Sequence, residues 1–175
     1  MSTVGVPASV GQHGGGLLDS RATGYCHDVP MRAAVPRRSR AQDVGRFVLA
    51  AGLITAGLAH FLWARQEFRA QVPSWLPADD DLVVLVSGGV EIVLGVALLV
   101  ARRHRAIVGW STAACFVVIF PGNIAQYVEG TDAFGLDSDA ARAVRLAFQP
   151  AVIALALWST GAWSAWRARR RRTDA

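Results

Sequence analysis

Charge disappears from this chain four times, and each time the apolar run left behind is about as long as a bilayer is thick. Phe47–Ala64 is 18 residues without a formal charge, and Leu82–Ala101 is 20 residues broken only by Glu91. Ala106–Val128 is 23 residues and Leu146–Trp166 is 21, both uncharged. A hydrocarbon core of about 30 Å takes roughly 20 helical residues at about 1.5 Å each, so every run predicts a membrane-spanning helix, the first only just. Buried helices of a soluble bundle would show apolar stripes of period 3.6 with polar backs, and none of these runs has a polar back. The pattern therefore predicts an all-α fold, a polytopic membrane bundle of four helices.

The segments between the runs alternate in charge. All 18 basic residues are arginine. Arg37, Arg38, Arg40 and Arg46 precede the first run or open it, and Arg102, Arg103 and Arg105 link the second to the third. Arg167 and Arg169 to Arg172 follow the last. The two remaining links hold Glu67, Asp79, Asp80 and Asp81, then Glu129, Asp132, Asp137 and Asp139. Arginine-rich segments stay on the cytoplasmic side, which predicts both termini inside and both acidic links outside, an N-in/C-in topology. The net charge of +5 and pI near 10.5 then mark an inner membrane edge and not a nucleic-acid partner. Each arginine there attracts anionic head groups by about 1 kcal/mol.

Residues 1–43, with Gly14-Gly15-Gly16 and no apolar period, read as a disordered cytoplasmic tail. No h-region precedes residue 47, so this is not a secretory signal. Met31, followed by an Arg-rich stretch, is a second candidate start. Residues 44–166 form the membrane domain and 167–175 an Arg-rich cytoplasmic tail. Cys26 lies in the first tail and Cys115 in the third run, with no Cys-x-x-Cys and no outer-face partner, so no disulfide is expected. A lone buried cysteine behaves as a small apolar residue.

Helical spacing sorts the polar residues into faces. Gly52, Ala56 and His60 recur every four residues, as do Ser87, Glu91 and Gly95, and Arg142, Arg145 and Gln149 follow a three-then-four step. Small residues at such intervals favour close helix packing, so these faces are expected to point inward. His60, Asn123 and Gln149 lie about 6–8 Å below the outer ends of their helices and Glu91 about 13 Å down. Four polar groups from four helices thus converge on an outer-facing pocket, with Asn123 and Gln149 as the expected partners of Glu91 and with Arg145 reached through water or a ligand. A charge at a helix centre costs roughly 2.5–3.5 kcal/mol on insertion scales, so Glu91 has to be paired, protonated or hydrated. A purely structural Glu–Asn–Gln network would serve as well as a functional site. His60 also reads as a helix-end cap, Asn123 as repair of the Pro121-Gly122 break, Arg145 as a snorkelling side chain and Trp75 as an interface anchor. Gln71–Pro77, held by Pro73 and Pro77 and carrying Val72, Trp75 and Leu76, is expected to fold back over the His60 end.

Four elements in order resemble the DoxX-like family of four-helix membrane proteins. They are His60-Phe61 followed by Phe68 and Val72-Pro73-Ser74-Trp75-Leu76-Pro77; Ser87-Gly88-Gly89-Val90-Glu91-Ile92 with Gly95; Phe120-Pro121-Gly122-Asn123-Ile124; and Arg145-Leu146 with Gln149. They span roughly residues 44–166. Ala64 and Ala147 stand where the family's prolines are expected, and Pro150 follows Gln149. The resemblance implies a four-helix fold with both termini inside, in the cytoplasmic membrane of a bacterium. It also implies a redox neighbourhood, since distant relatives include a quinone-reducing thiosulfate oxidoreductase subunit and a protein needed for methylamine dehydrogenase maturation.

Two readings of function follow. One is a redox accessory binding a quinone or other small molecule in the outer pocket, lined by His60, Trp75, Glu91, Asn123, Arg145 and Gln149, with Glu91 as proton acceptor. The other is a scaffold that docks a partner protein through its outer loops. A carrier for a small solute or protons is a third, weaker reading. His60 is the sole histidine within the four runs, so no metal site and no stand-alone oxidase is expected.

Overall fold

The computed structural model describes residues 39–174, and all regular structure among them is helical. The helices are α1 (Arg40–Leu62), α2 (Arg65–Arg69), α3 (Asp80–Val100), α4 (Arg105–Glu129), α5 (Asp139–Thr160) and α6 (Ala162–Thr173). Helices α1, α3, α4 and α5 are each long and apolar enough to cross a membrane.

Helix ends lie where capping chemistry puts them, which shifts several expected boundaries. Ser39 accepts from the Gln42 amide at 3.2 Å while the Gln42 side chain accepts from the Ser39 amide at 3.2 Å. This reciprocal box starts α1 at Arg40, so residues 40–43 are helical and not part of the tail; residues 1–38 lie outside the described residues. Asp79 caps α3 through the Leu82 amide at 2.9 Å, and Ser138 caps α5 through Ala141 at 3.3 Å. Helix α5 therefore begins seven residues before its apolar run. It also ends early, because Gly161 at φ 71° adopts a left-handed conformation that closes the helix. The run read as one span to Trp166 is divided there, and α6 carries helix through Thr173, across most of the expected C-terminal tail.

Helix α1 packs along α3 and against α5, α4 packs along α5, and α3 and α4 touch more lightly. The α1–α3 approach is close. A Cβ at Gly95 would lie 2.6 Å from Ile54 Cγ1 and 3.0 Å from the Ala50 carbonyl, and one at Gly88 would lie 2.7 Å from His60 Cβ. Only a residue without a side chain fits at these crossings. On α1 the packing glycine is Gly57, which is buried, whereas Gly52 is exposed with nothing within 4 Å of its Cβ position. The four-residue spacing that groups Gly52 with His60 thus misassigns Gly52, because the face toward α3 runs through the three-residue step from Gly57 to His60.

The interior is divided along its length. The apolar core, Leu49, Ala50, Leu53, Leu98, Ala113 and Ala156, draws on the start of α1 and α4 and the end of α3 and α5. Beside that core the hydroxyl residues Thr112, Ser159 and Thr160 are buried, and toward the acidic loops the buried polar groups are His60, Glu91, Gln126, Arg142 and Gln149. At the basic end, Arg46 of α1 is buried and donates to the carbonyl of Leu98 at the close of α3. It satisfies an acceptor that a helix C-terminus leaves open. On the outside of α3, Val86, Val93 and Val100 are 57%, 67% and 68% exposed and fall at seven-residue intervals on one face. An outward apolar face of this kind suits hydrocarbon, not water.

Candidate functional site

Glu91 sits mid-way along α3 on the face that meets α1, in line with buried Gly88 and Gly95. It is 6% exposed, and no hydrogen bond from the described residues reaches its Oε2 atom. His60 Nδ1 lies 3.7 Å from Oε2, within ion-pair range but beyond a hydrogen bond. His60, 3% exposed, uses Nδ1 to donate to the Ala56 carbonyl at 2.8 Å, one turn back in its own helix. That bond fixes the ring orientation and leaves Nε2 as the second nitrogen of the site. Two titratable side chains are thus buried side by side with one carboxylate oxygen unpartnered. An unmade hydrogen bond on a buried polar group costs about 1–3 kcal/mol, and more when the group is charged.

A second polar assembly lies between α4, α5 and the segment after α2. Asn123 Nδ2 donates to Gln149 Oε1 at 3.0 Å, and Gln149 Nε2 donates to the Phe116 carbonyl at 2.7 Å. Arg145 donates through Nε to Asn123 Oδ1 at 3.3 Å and through Nη2 to Gln71 Oε1 at 3.1 Å. Gln71 Nε2 in turn donates to Gln126 Oε1 at 2.8 Å. The partners expected for Glu91 are therefore bonded to each other, and Glu91 pairs with His60. The reason is packing. The buried face of α3 lies mainly against α1, and Asn123 and Gln149 bond each other across the α4–α5 contact.

Aromatic rings connect the two groups. The His60 and Phe68 rings stack with centroids 3.4 Å apart, Phe68 meets Phe134 edge-on at 4.7 Å, and the Arg145 guanidinium lies 4.9 Å from the Phe134 ring centre. Phe134 adopts φ 58°, left-handed and rare for an aromatic residue, and its amide donates to Glu67 Oε2 at 2.6 Å. Phe68, on the short α2, is therefore the cover over His60.

The segment after α2 folds back as its prolines and apolar residues predict. Gln71 joins the network, its carbonyl lies 2.9 Å from a Cβ position at Gly122, and Pro73 is buried. Trp75, by contrast, is 66% exposed and lines neither polar group. A cavity of about 210 Å³ lies under the outer loops between Glu67, Phe134 and Asp137, and a second of about 370 Å³ between Gln66, Arg69 and Asp80. Neither is lined by Glu91, His60 or Asn123. Among the described residues, no group of three or more His, Cys, Asp or Glu side chains is arranged to hold a metal ion.

The profile of a family described as a domain of unknown function (DUF8561) matches residues 49–160. The chain belongs to that family. No curated protein and no solved structure matches it. The DUF8561 segment holds His60, Phe68, Gln71, Glu91, Asn123, Gln126, Phe134, Arg145 and Gln149, so both polar groups lie wholly within it. It stops at Thr160, one residue before Gly161 divides α5 from α6.

Four of these side chains, Phe68, Gln71, Gln126 and Phe134, are not among the candidates read from the sequence. Gln126 is legible in principle, since it lies one helical turn beyond Asn123 on the same face. Gln71 and Phe134 are in loops, where no period reveals direction. Arg142, grouped by spacing with Arg145, is buried but serves the loop. It bonds Asp132 at 2.8 Å, Asp139 at 2.9 Å and the Leu136 carbonyl at 3.0 Å.

Proposed function

We propose that this protein spans the bacterial cytoplasmic membrane four times with both termini inside, and binds a small polar-headed lipophilic molecule, a quinone in the first instance, at Glu91 and His60. The observation that carries the reading is the unpartnered Oε2 of Glu91, 6% exposed and beside His60, in a helix otherwise free of charge between Leu82 and Ala101. A buried carboxyl retained without a hydrogen-bond partner lowers stability, and a ligand oxygen at that point satisfies it. Glu91 hydrogen-bonds the ligand's head group and exchanges a proton with it. His60, braced by Ala56 and stacked on Phe68, holds the adjacent ring position. Phe68, Phe134 and the Gln71–Arg145–Asn123 network close the outer side. A quinone supplies two-electron chemistry when bound, and the electrons come from a partner protein, so the chain acts as a redox accessory, as its resemblance to the DoxX-like family implies.

The test is an ultraviolet–visible spectrum of the purified protein, followed by solvent extraction and mass spectrometry of bound small molecules. A quinone recovered at about one per chain from the natural protein and lost from Glu91→Gln supports the reading. Natural protein free of bound quinone, or equal recovery from Glu91→Gln, rejects it.

A further inference from the structure

Helix α6 carries a surface of its own. Gly161 closes α5 in the left-handed conformation and α6 starts again from the same residue, so its faces do not continue those of α5. Trp163, Trp166, Arg167 and Arg170 fall at i, i+3, i+4 and i+7 and share one side of the helix. The Trp163 and Trp166 rings lie 5.0 Å apart. The Arg167 guanidinium lies 5.3 Å from the Trp163 ring centre and that of Arg170 lies 4.4 Å from Trp166. Ala162, on another face, is fully buried where α6 meets α4 and α5.

A guanidinium laid on an indole is held in few rotamers, yet its N–H edge stays free. The two arginines are therefore preorganised forks for phosphate oxygens. Among the described residues, no carboxylate lies within ion-pair distance of Arg167, Arg169, Arg170, Arg171 or Arg172. Other contacts bring further positive charge to this end. Gln42 Nε2 donates to the Trp158 carbonyl at 3.0 Å and Arg105 lies 3.3 Å from Asp43, gathering the start of α1, the end of α5 and the α3–α4 link. Exposed Arg102 and Arg103 belong to that link.

The charge calls for an anion, and the tryptophans say which. Trp163 is 42% exposed and lies five residues beyond Trp158, which is 47% exposed near the end of the apolar α5. Indoles favour the level at which an apolar phase meets polar head groups. An anion at that level, beside the emergence of apolar helices, is a lipid phosphate; a nucleic acid would make no use of exposed indoles at the end of a membrane-spanning helix. We propose that the Trp163–Trp166–Arg167–Arg170 face of α6 binds the phosphate of an anionic phospholipid in the protein's own membrane and holds α6 at the membrane surface. The proposal is independent of any ligand at Glu91.

The full chain in maltoside micelles is titrated with short-chain phosphatidylglycerol and, in parallel, with short-chain phosphatidylcholine, and bound lipid is counted by native mass spectrometry. The natural chain is expected to prefer phosphatidylglycerol by about tenfold. Arg167→Gln/Arg170→Gln abolishes that preference and Trp163→Leu/Trp166→Leu reduces it severalfold, while Arg102→Gln/Arg103→Gln keeps most of it. Far-UV helicity equal to the natural chain certifies each variant, and the tryptophan pair supplies the test should the arginine pair not fold. Equal affinity for the two lipids, or an undiminished preference in the α6 variants, overturns the proposal. So does displacement of phosphatidylglycerol by an equimolar short oligonucleotide.

Discussion

Glu91 and Gln126 are both buried polar side chains in apolar helices, and they differ in what surrounds them. Gln126, 2% exposed, accepts from Gln71 at 2.8 Å and donates toward the carbonyls of Thr131 at 3.4 Å and Ala133 at 3.5 Å. Glu91 has an oxygen with no donor among the described residues. Removing the first therefore strands partners, while neutralising the second strands none. Gln126→Ala is expected to lower stability by about 1–3 kcal/mol. Glu91→Gln is expected to leave it unchanged or raise it, because an amide is cheaper than a carboxylate to hold in that position. Thermal unfolding followed by circular dichroism in the same detergent compares the two. Equal losses in both variants would show that Glu91 is a structural group and remove the basis for a ligand there. The inward direction of Glu91, His60 and Gln149 was readable from helical spacing. Their pairing was not, because spacing assigns each residue to a face and says nothing of which neighbouring helix that face meets.

At the scale of the elements, the four apolar helices were legible from the length of uncharged sequence, and their ends only where capping residues were weighed. Ser39 with Gln42, and Ser138 ahead of Asp139, place helix starts that hydropathy alone puts several residues late. The break at Gly161 has no hydropathy signal, since glycine and the tryptophans around it look apolar either way. The α1–α3 contact depends on small residues in a way that can be measured. Gly95→Ala drives a Cβ to 2.6 Å from Ile54 Cγ1 and 3.0 Å from the Ala50 carbonyl, so it is expected to destabilise by about 1–3 kcal/mol. Gly52→Ala meets nothing within 4 Å and gains up to about 1 kcal/mol of helix propensity. Denaturant or thermal unfolding of the two variants gives opposite signs if α1 and α3 pack as described. A loss at Gly52 together with tolerance at Gly95 would mean that α1 turns a different face to α3.

For the whole molecule, the governing feature is a difference between its two ends. The apolar core and the buried Arg46 lie at the end with the arginine-rich segments; the buried His60, Glu91, Gln126, Arg142 and Gln149 lie toward the end with the acidic loops. The ion pairs at the acidic end tie α2 to α3 through Arg65 and Asp81, and join Arg142 of α5 to Asp139 of the same helix and to Asp132 of the preceding loop. Their arginines are thereby neutralised locally, whereas Arg167 and Arg169 to Arg172 have no carboxylate partner among the described residues. Orientation follows the placement of arginine and not net charge, and the arginine-rich segments gather at the end that holds both termini. Both termini are therefore predicted to be cytoplasmic and both acidic loops external. Alkaline phosphatase fused at Ala78 or at Asp137 should be active, and a green fluorescent protein fused after Arg172 should fluoresce. An inactive phosphatase at either loop would reverse the orientation. It would then put the Glu91–His60 pair in the cytoplasmic half, where an external redox partner could not reach it.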